Sequence, residues 1–82
     1  MNVNDNLQSA LSKEKFNLLL GNLLRNIRNE LGLSQVEFAS KAGLGRTHYG
    51  SIERGEKAIS TYKLFLLLTT NNISISEFFE KI

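Results

Sequence analysis

The sequence predicts an all-α fold, a compact bundle of five helices forming one domain over residues 13–82. Three observations predict it. Apolar residues recur at steps of three and four along most of the chain. Serines stand at the head of four of these runs, at Ser12, Ser34, Ser60 and Ser74, where a helix takes its N-cap. No convincing strand interrupts them, and there is no proline.

The first helix spans about residues 13–31. Phe16, Leu19, Leu20, Leu23, Leu24, Ile27 and Leu31 form its apolar stripe, Ser12 caps it and Gly32 stops it. Gly21 weakens it locally and marks a close packing point. The second begins at the capping box "SQVE", in which Ser34 and Glu37 satisfy each other's amides, and runs to about Ala42 before Gly43. A third runs from about Gly45 to Arg54, with Leu44, Tyr49 and Ile52 inward and Arg46, Thr47, Gly50 and Ser51 outward. Ser60 opens the fourth, "TYKLFLLLTT", which is apolar nearly all round and reads as the most buried. "SISE" repeats the capping device with Ser74 and Glu77 and opens a last helix through Ile82. Residues 1–12 are an N-terminal extension, either a further helical turn or loose chain.

Composition narrows the function classes. A chain of 82 residues buries a small core and gains from a partner, such as a second copy of itself. It has no cysteine, which excludes disulfides and thiolate metal sites and fits a reducing cytoplasm. No signal peptide opens it, and "LFLLL" is too short to cross a bilayer. A single histidine with scattered carboxylates makes no metal site, and no nucleophile–base pair or phosphate loop is present. No enzyme activity, cofactor, metal, membrane or small-molecule ligand is therefore expected. Charge is uneven. Residues 13–63 carry nine basic against five acidic residues, a net of +4, while the segment on each side nets −1. A basic middle with mildly acidic ends fits an anion-binding surface backed by a protein–protein surface.

The segment "GLGRTHYGSIERG" (43–55) places Arg46, Thr47 and His48 at the start of the third helix. Gly43 suits a turn that needs positive φ, and Gly55 suits a helix stop. Gly50 removes a side chain from the outward face, at about 1 kcal/mol relative to Ala, where another surface must come close. Two short helices joined by a tight turn and followed by a buried helix make a helix-turn-helix layout.

On these residues the chain resembles a family. "LRNIRNELGLSQVEFASKAGLGRTHYGSIERGEKAIS" is similar to the lambda-repressor/Cro-like, XRE-type, DNA-binding domain over about residues 23–72. "LSQVEFA" and "SIERG" at their mutual distance are its specific features. "GRTHYGSIERG" looks most similar to the small controller proteins of restriction–modification systems, although the N-terminal extension is longer than that likeness implies. Phage-type repressors remain an alternative.

The resemblance implies a transcriptional regulator of duplex DNA. Arg46, Thr47 and Ser51, with His48 beside them, take the positions that face base edges in the major groove. Arginine suits guanine O6 and N7 through its two-pronged donor set. Ser34 and Gln35, at the start of the second helix, take phosphate-contacting positions, which the free amides and dipole there favour. Lys41, Arg54 and Lys57 are phosphate clamps around them. Arg28 and Glu53 match a pair that ties the first helix to the third; Arg28 facing phosphate is the alternative. The competing function is an antitoxin-like or phage-repressor-like module acting partly through a protein partner, for which an apolar outward face on the third helix would be the sign. That face is small and polar instead. At the C-terminal end, Ile73, Ile75, Phe78, Phe79 and Ile82 exceed what one small domain readily covers, which predicts a homodimer. Within that set, Ile75 and Phe78 suit the internal core and Phe79 and Ile82 a partner. A two-fold pair of recognition helices implies a near-palindromic operator.

Overall fold

The structure, a computed structural model, describes residues 11–82. Of the N-terminal extension predicted at residues 1–12, the first ten lie outside the described residues. Among the described residues there are five helices: α1 (Lys13–Glu30), α2 (Gln35–Ser40), α3 (Arg46–Glu53), α4 (Thr61–Thr70) and α5 (Ile75–Glu80).

The serines act as caps. Ser12 Oγ accepts from the Lys15 amide at 3.1 Å, and Ser60 Oγ from the Lys63 amide at 3.1 Å. At α2 the capping box is complete: Ser34 Oγ accepts from the Glu37 amide at 3.0 Å and the Ser34 amide donates to Glu37 Oε1 at 2.8 Å. At α5 only the serine half forms. Ser74 Oγ accepts from the Glu77 amide at 3.3 Å and also pairs with Ser76 Oγ at 3.2 Å.

Two helices stop earlier than periodicity predicts. α2 ends at Ser40 rather than near Ala42, because the chain already turns at Gly43 (φ 71°), which lets the Leu44 amide reach back to the Ala39 carbonyl at 3.1 Å. α5 ends at Glu80, so Ile82 follows the helix rather than belonging to it. At the end of α4 the left-handed residue is Asn72 (φ 59°), a role that asparagine fills without glycine.

The core gathers Leu20, Leu24 and Ile27 from α1, Phe38 and Ala39 from α2, Tyr49 and Ile52 from α3, Leu64, Leu67 and Leu68 from α4, and Phe78 from α5. Phe38 and Tyr49 meet edge to face, with ring centroids 5.7 Å apart. The reading of α4 as the most buried helix is corrected. Tyr62 and Phe65 on α4 are 66% and 49% exposed, whereas Tyr49 through Glu53 on α3 are all buried. α3 packs against both α1 and α2, so it is covered on two sides, while α4 leaves one apolar edge uncovered.

Two polar ties hold α4 to the helix pair α2–α3. Lys63 Nζ donates to the Ala42 carbonyl at 3.0 Å, satisfying an end group of α2. Buried Asn71 donates its amide to the carbonyls of Phe38 (3.0 Å) and Leu67 (2.8 Å).

Gly21 is the close packing point between α1 and α3. A Cβ there would meet the carbonyl oxygens of Ile52 and Glu53 and stand 2.9 Å from the Glu53 carbonyl carbon. Backbone cannot yield as a side chain does. Gly21→Ala is therefore expected to destabilise by roughly 1–3 kcal/mol through overpacking, despite the gain of about 1 kcal/mol in helix propensity. Thermal denaturation monitored by circular dichroism checks this; an unchanged or raised midpoint would show that the two helices have room to separate.

Candidate nucleic-acid interface

α3 begins at Gly45, which supplies no side-chain cap, so its first turn is open to solvent. Arg46, Thr47 and His48 occupy that turn and are all exposed. Gln35, first residue of α2, lies alongside. Together Gln35, Arg46, Thr47, Gly50 and Arg54 line a recess of about 280 Å³. The tight turn at Gly43 is what brings the starts of α2 and α3 to one surface.

The outward face of α3 is smaller than the sequence predicts. Gly50 and Ser51 are buried, not exposed. Ser51 Oγ donates to the Thr47 carbonyl at 3.1 Å and accepts from Arg54 Nη2 at 3.3 Å. Its hydroxyl, predicted to face base edges, is engaged within the helix. Gly50 is covered by this chain's own side chains. A Cβ there would stand 3.2 Å from Arg54 Nη1 and 3.5 Å from Gln35 Oε1. The missing side chain makes room for Arg54 and Gln35 to lie across the helix.

Beneath this surface sits Glu53, with its side chain fully buried. Arg28 reaches it from α1 with two bonds, Nε to Oε2 at 2.6 Å and Nη2 to Oε1 at 3.1 Å. Arg28 Nη1 also donates to the Leu33 carbonyl at 2.9 Å. The internal bridge is thus formed, in preference to the alternative of Arg28 facing outward. Gln35 Nε2 donates to Glu53 Oε1 at 3.0 Å, which anchors its side chain from below. Arg25, one turn before Arg28, adds a second cation, its Nε 3.5 Å from Oε1. Sequence reasoning missed Arg25, although the R-x-x-R spacing puts both arginines on one helical face.

Burial alone would push the Glu53 carboxyl up. The bonds from Arg28 and Gln35, with the Arg28 charge, outweigh it and hold Glu53 below the usual carboxylate range. The Tyr49 hydroxyl, buried beside it, is pushed up first by burial and then by the nearby Glu53 charge, and stays neutral. The Arg28 guanidinium is pushed up by its bond to Glu53 and stays charged.

The remaining cations surround the recess. Arg54 is paired with Glu56, Nε to Oε2 at 3.0 Å and Nη2 to Oε1 at 3.1 Å, rather than extended into solvent. Lys41 is the exposed C-cap of α2, and Lys57 is exposed in the loop between α3 and α4. Of the predicted dimer residues, Phe79 and Ile82 are 47% and 41% exposed. Ile73 and Ile75 are half-buried against the core, and Phe78, at 1% exposure, lies in the core.

A helix-turn-helix family model matches residues 24–78. The chain belongs to the helix-turn-helix family. The match begins within α1, at Leu24, and runs through Phe78 of α5, so it takes in the Arg28–Glu53 bridge and the whole recess. Two relatives share substantial identity. Control protein C.MunI of Mycoplasma sp is 40% identical over 63 residues, covering 76% of this chain and 85% of that protein. Control protein C.SmaI of Serratia marcescens is 37% identical over 57 residues, covering 70% and 68% respectively. This helix-turn-helix protein is a DNA-binding transcriptional regulator and not an enzyme. Among its described residues, no helix is long and apolar enough to cross a membrane.

The buried bridge yields a test. Arg28→Met leaves the Glu53 charge with Gln35 and, as its one close cation among the described residues, the looser Arg25, and is expected to destabilise by about 3 kcal/mol at neutral pH. Because Glu53 titrates lower in the folded state than its ordinary 4.5, its contribution is present above pH 4.5 and fades as pH falls through the folded value. The gap between wild type and Arg28→Met is therefore expected to narrow below pH 4.5. Urea denaturation at neutral and acid pH measures it; a gap that is small at neutral pH, or that widens in acid, contradicts the assignment.

Proposed function

We propose that this protein binds a near-palindromic operator as a homodimer and acts as the controller of a restriction–modification system. One observation carries the reading. The start of α3 presents exposed Arg46 and Thr47 beside Gln35 over a polar recess, on a helix whose other side is buried and bridged to α1. A helix held this way offers a fixed set of donors to a groove. The likeness to two control proteins supports the controller role.

In this reading Arg46 takes a guanine through O6 and N7, and Thr47 contacts a neighbouring base or phosphate. His48, exposed on the same turn, flanks them. Gln35 and Ser34 meet a phosphate at the start of α2, where the capping box engages the Ser34 and Glu37 amides and leaves those of Gln35 and Val36. Lys41 and Lys57 add phosphate contacts on either side. Arg54 joins them by exchanging Glu56 for phosphate, since an exposed ion pair is worth little in water. Arg46→Ala is expected to weaken operator binding by about 1–3 kcal/mol and to relax preference at one base pair. Gel-shift titration on operator and on mixed-sequence DNA checks it; equal losses on both would remove Arg46 from base readout.

The dimer face is the uncovered edge of α4 and α5. Exposed Phe65 and Phe79 flank an apolar groove of about 100 Å³ that is also lined by Thr61, Leu64, Leu68 and Ile75. Phe79 or Ile82 of a second copy fits such a groove by size and polarity. Pairing through α5 places two recognition helices on one face of the DNA, about 34 Å apart. Phe79→Glu is expected to shift sedimentation at micromolar concentration from dimer to monomer while the helical content is kept. A wild type that stays monomeric, or a variant that dimerises as tightly, sinks this arrangement.

A further inference from the structure

Glu53 is approached by more positive charge than it can neutralise. Arg28 alone satisfies it, with bonds from Nε and Nη2 to its two oxygens, and Arg28 is largely buried at 13% side-chain exposure. Arg25 is different. Its Nε stands 3.5 Å from Oε1, beyond the usual length of a charge-assisted bond, and its side chain is 41% exposed. One carboxylate thus faces two guanidinium groups, and one positive charge is left over near the surface.

The position of that charge is set by a shared atom. Glu53 Oε1 also accepts from Gln35 Nε2 at 3.0 Å. Arg25 and Gln35 therefore meet at the same oxygen, and Gln35 lines the recess with Arg46 and Arg54. Arg25 continues the polar surface of α2 and α3 onto α1.

We propose that Arg25 is a DNA-backbone contact, holding a phosphodiester next to the one at Gln35. Glu53 acts on Arg25 as a tether. It draws the guanidinium toward Gln35 but leaves most of its five donors unused. Arginine rather than lysine suits this position, because one edge of the fork can face the carboxylate while another faces phosphate. A residue that served only to neutralise Glu53 has no need to be this exposed when Arg28 already fills that role. The contact is indifferent to sequence, so it adds affinity and salt dependence but no base preference.

This inference rests on the DNA-binding reading, and the experiment separates the two. Fluorescence anisotropy is measured on a mixed-sequence duplex of about two helical turns over a series of salt concentrations, for wild type, Arg25→Gln and Arg25→Lys. Thermal midpoints of the free proteins are recorded alongside. Arg25→Gln is expected to reduce the slope of log K against log salt by about 0.9, so that a fourfold rise in salt weakens it about 3.5-fold less than wild type. Its thermal midpoint should stay close to wild type, and Arg25→Lys should keep the wild-type slope. A wild type that binds no duplex overturns the DNA reading itself. A wild type that binds, with Arg25→Gln showing the same slope, overturns the contact and leaves the reading standing. A loss of folding in Arg25→Gln makes Arg25 a structural cation needed to neutralise Glu53 and also overturns it.

Discussion

The buried carboxylate of Glu53 is the constraint on which the helix-turn-helix unit depends. A charge taken out of water must be matched by donors from the protein, or the fold loses several kcal/mol. Here those donors come from separate elements: Arg28 and Arg25 from α1, and Gln35 from α2, while Glu53 itself ends α3. Three helices consequently have one mutual arrangement in which the carboxylate is satisfied. The same atom that stabilises the core orients the side chain of Gln35 in the recess. Stability and presentation of the interface are linked through it.

Glycines supply the space that this arrangement needs. At Gly21 the backbone of α1 comes against the carbonyls that end α3, which shortens the reach of Arg28 to Glu53. At Gly50 the absence of a side chain admits Arg54 and Gln35 over the middle of α3. Gly55, with φ 75°, closes the helix where any Cβ would stand 2.9 Å from the Leu18 Cα. Each is a place where chain meets chain, and each lies within or beside the helix pair rather than on the α4–α5 side.

The molecule divides into two surfaces of opposite character. One is polar and cationic, built on the starts of α2 and α3. The other is the apolar edge of α4 and α5, where Tyr62, Phe65, Phe79 and Ile82 are exposed. Exposed aromatic side chains beside an apolar groove suit association between proteins, and the acids Glu77 and Glu80 on α5 suit a surface turned away from phosphate. Lys63 and Asn71 tie the two halves together across the core.

Local chemistry made much of this legible without coordinates. Helix starts depend on a serine and the amide three residues on, so Ser12, Ser34, Ser60 and Ser74 could be read directly. Apolar spacing placed Tyr49 and Ile52 inward, and the specific pattern around "LSQVEFA" and "SIERG" pointed to the family and to Arg28–Glu53. What periodicity did not reveal was the depth of burial. Helical phase alone put Gly50 and Ser51 outside, because it does not register that Gln35 and Arg54 fold over them. It made α4 look central for its richness in leucine, whereas burial follows from how many neighbours a helix has, and α3 has more. Arg25 and Asn71 escaped for the same reason. Their partners, Glu53 and the Phe38 carbonyl, lie 28 and 33 residues away in the chain. Contacts within one helical turn are written in the sequence, whereas contacts between helices exist only once the helices have packed.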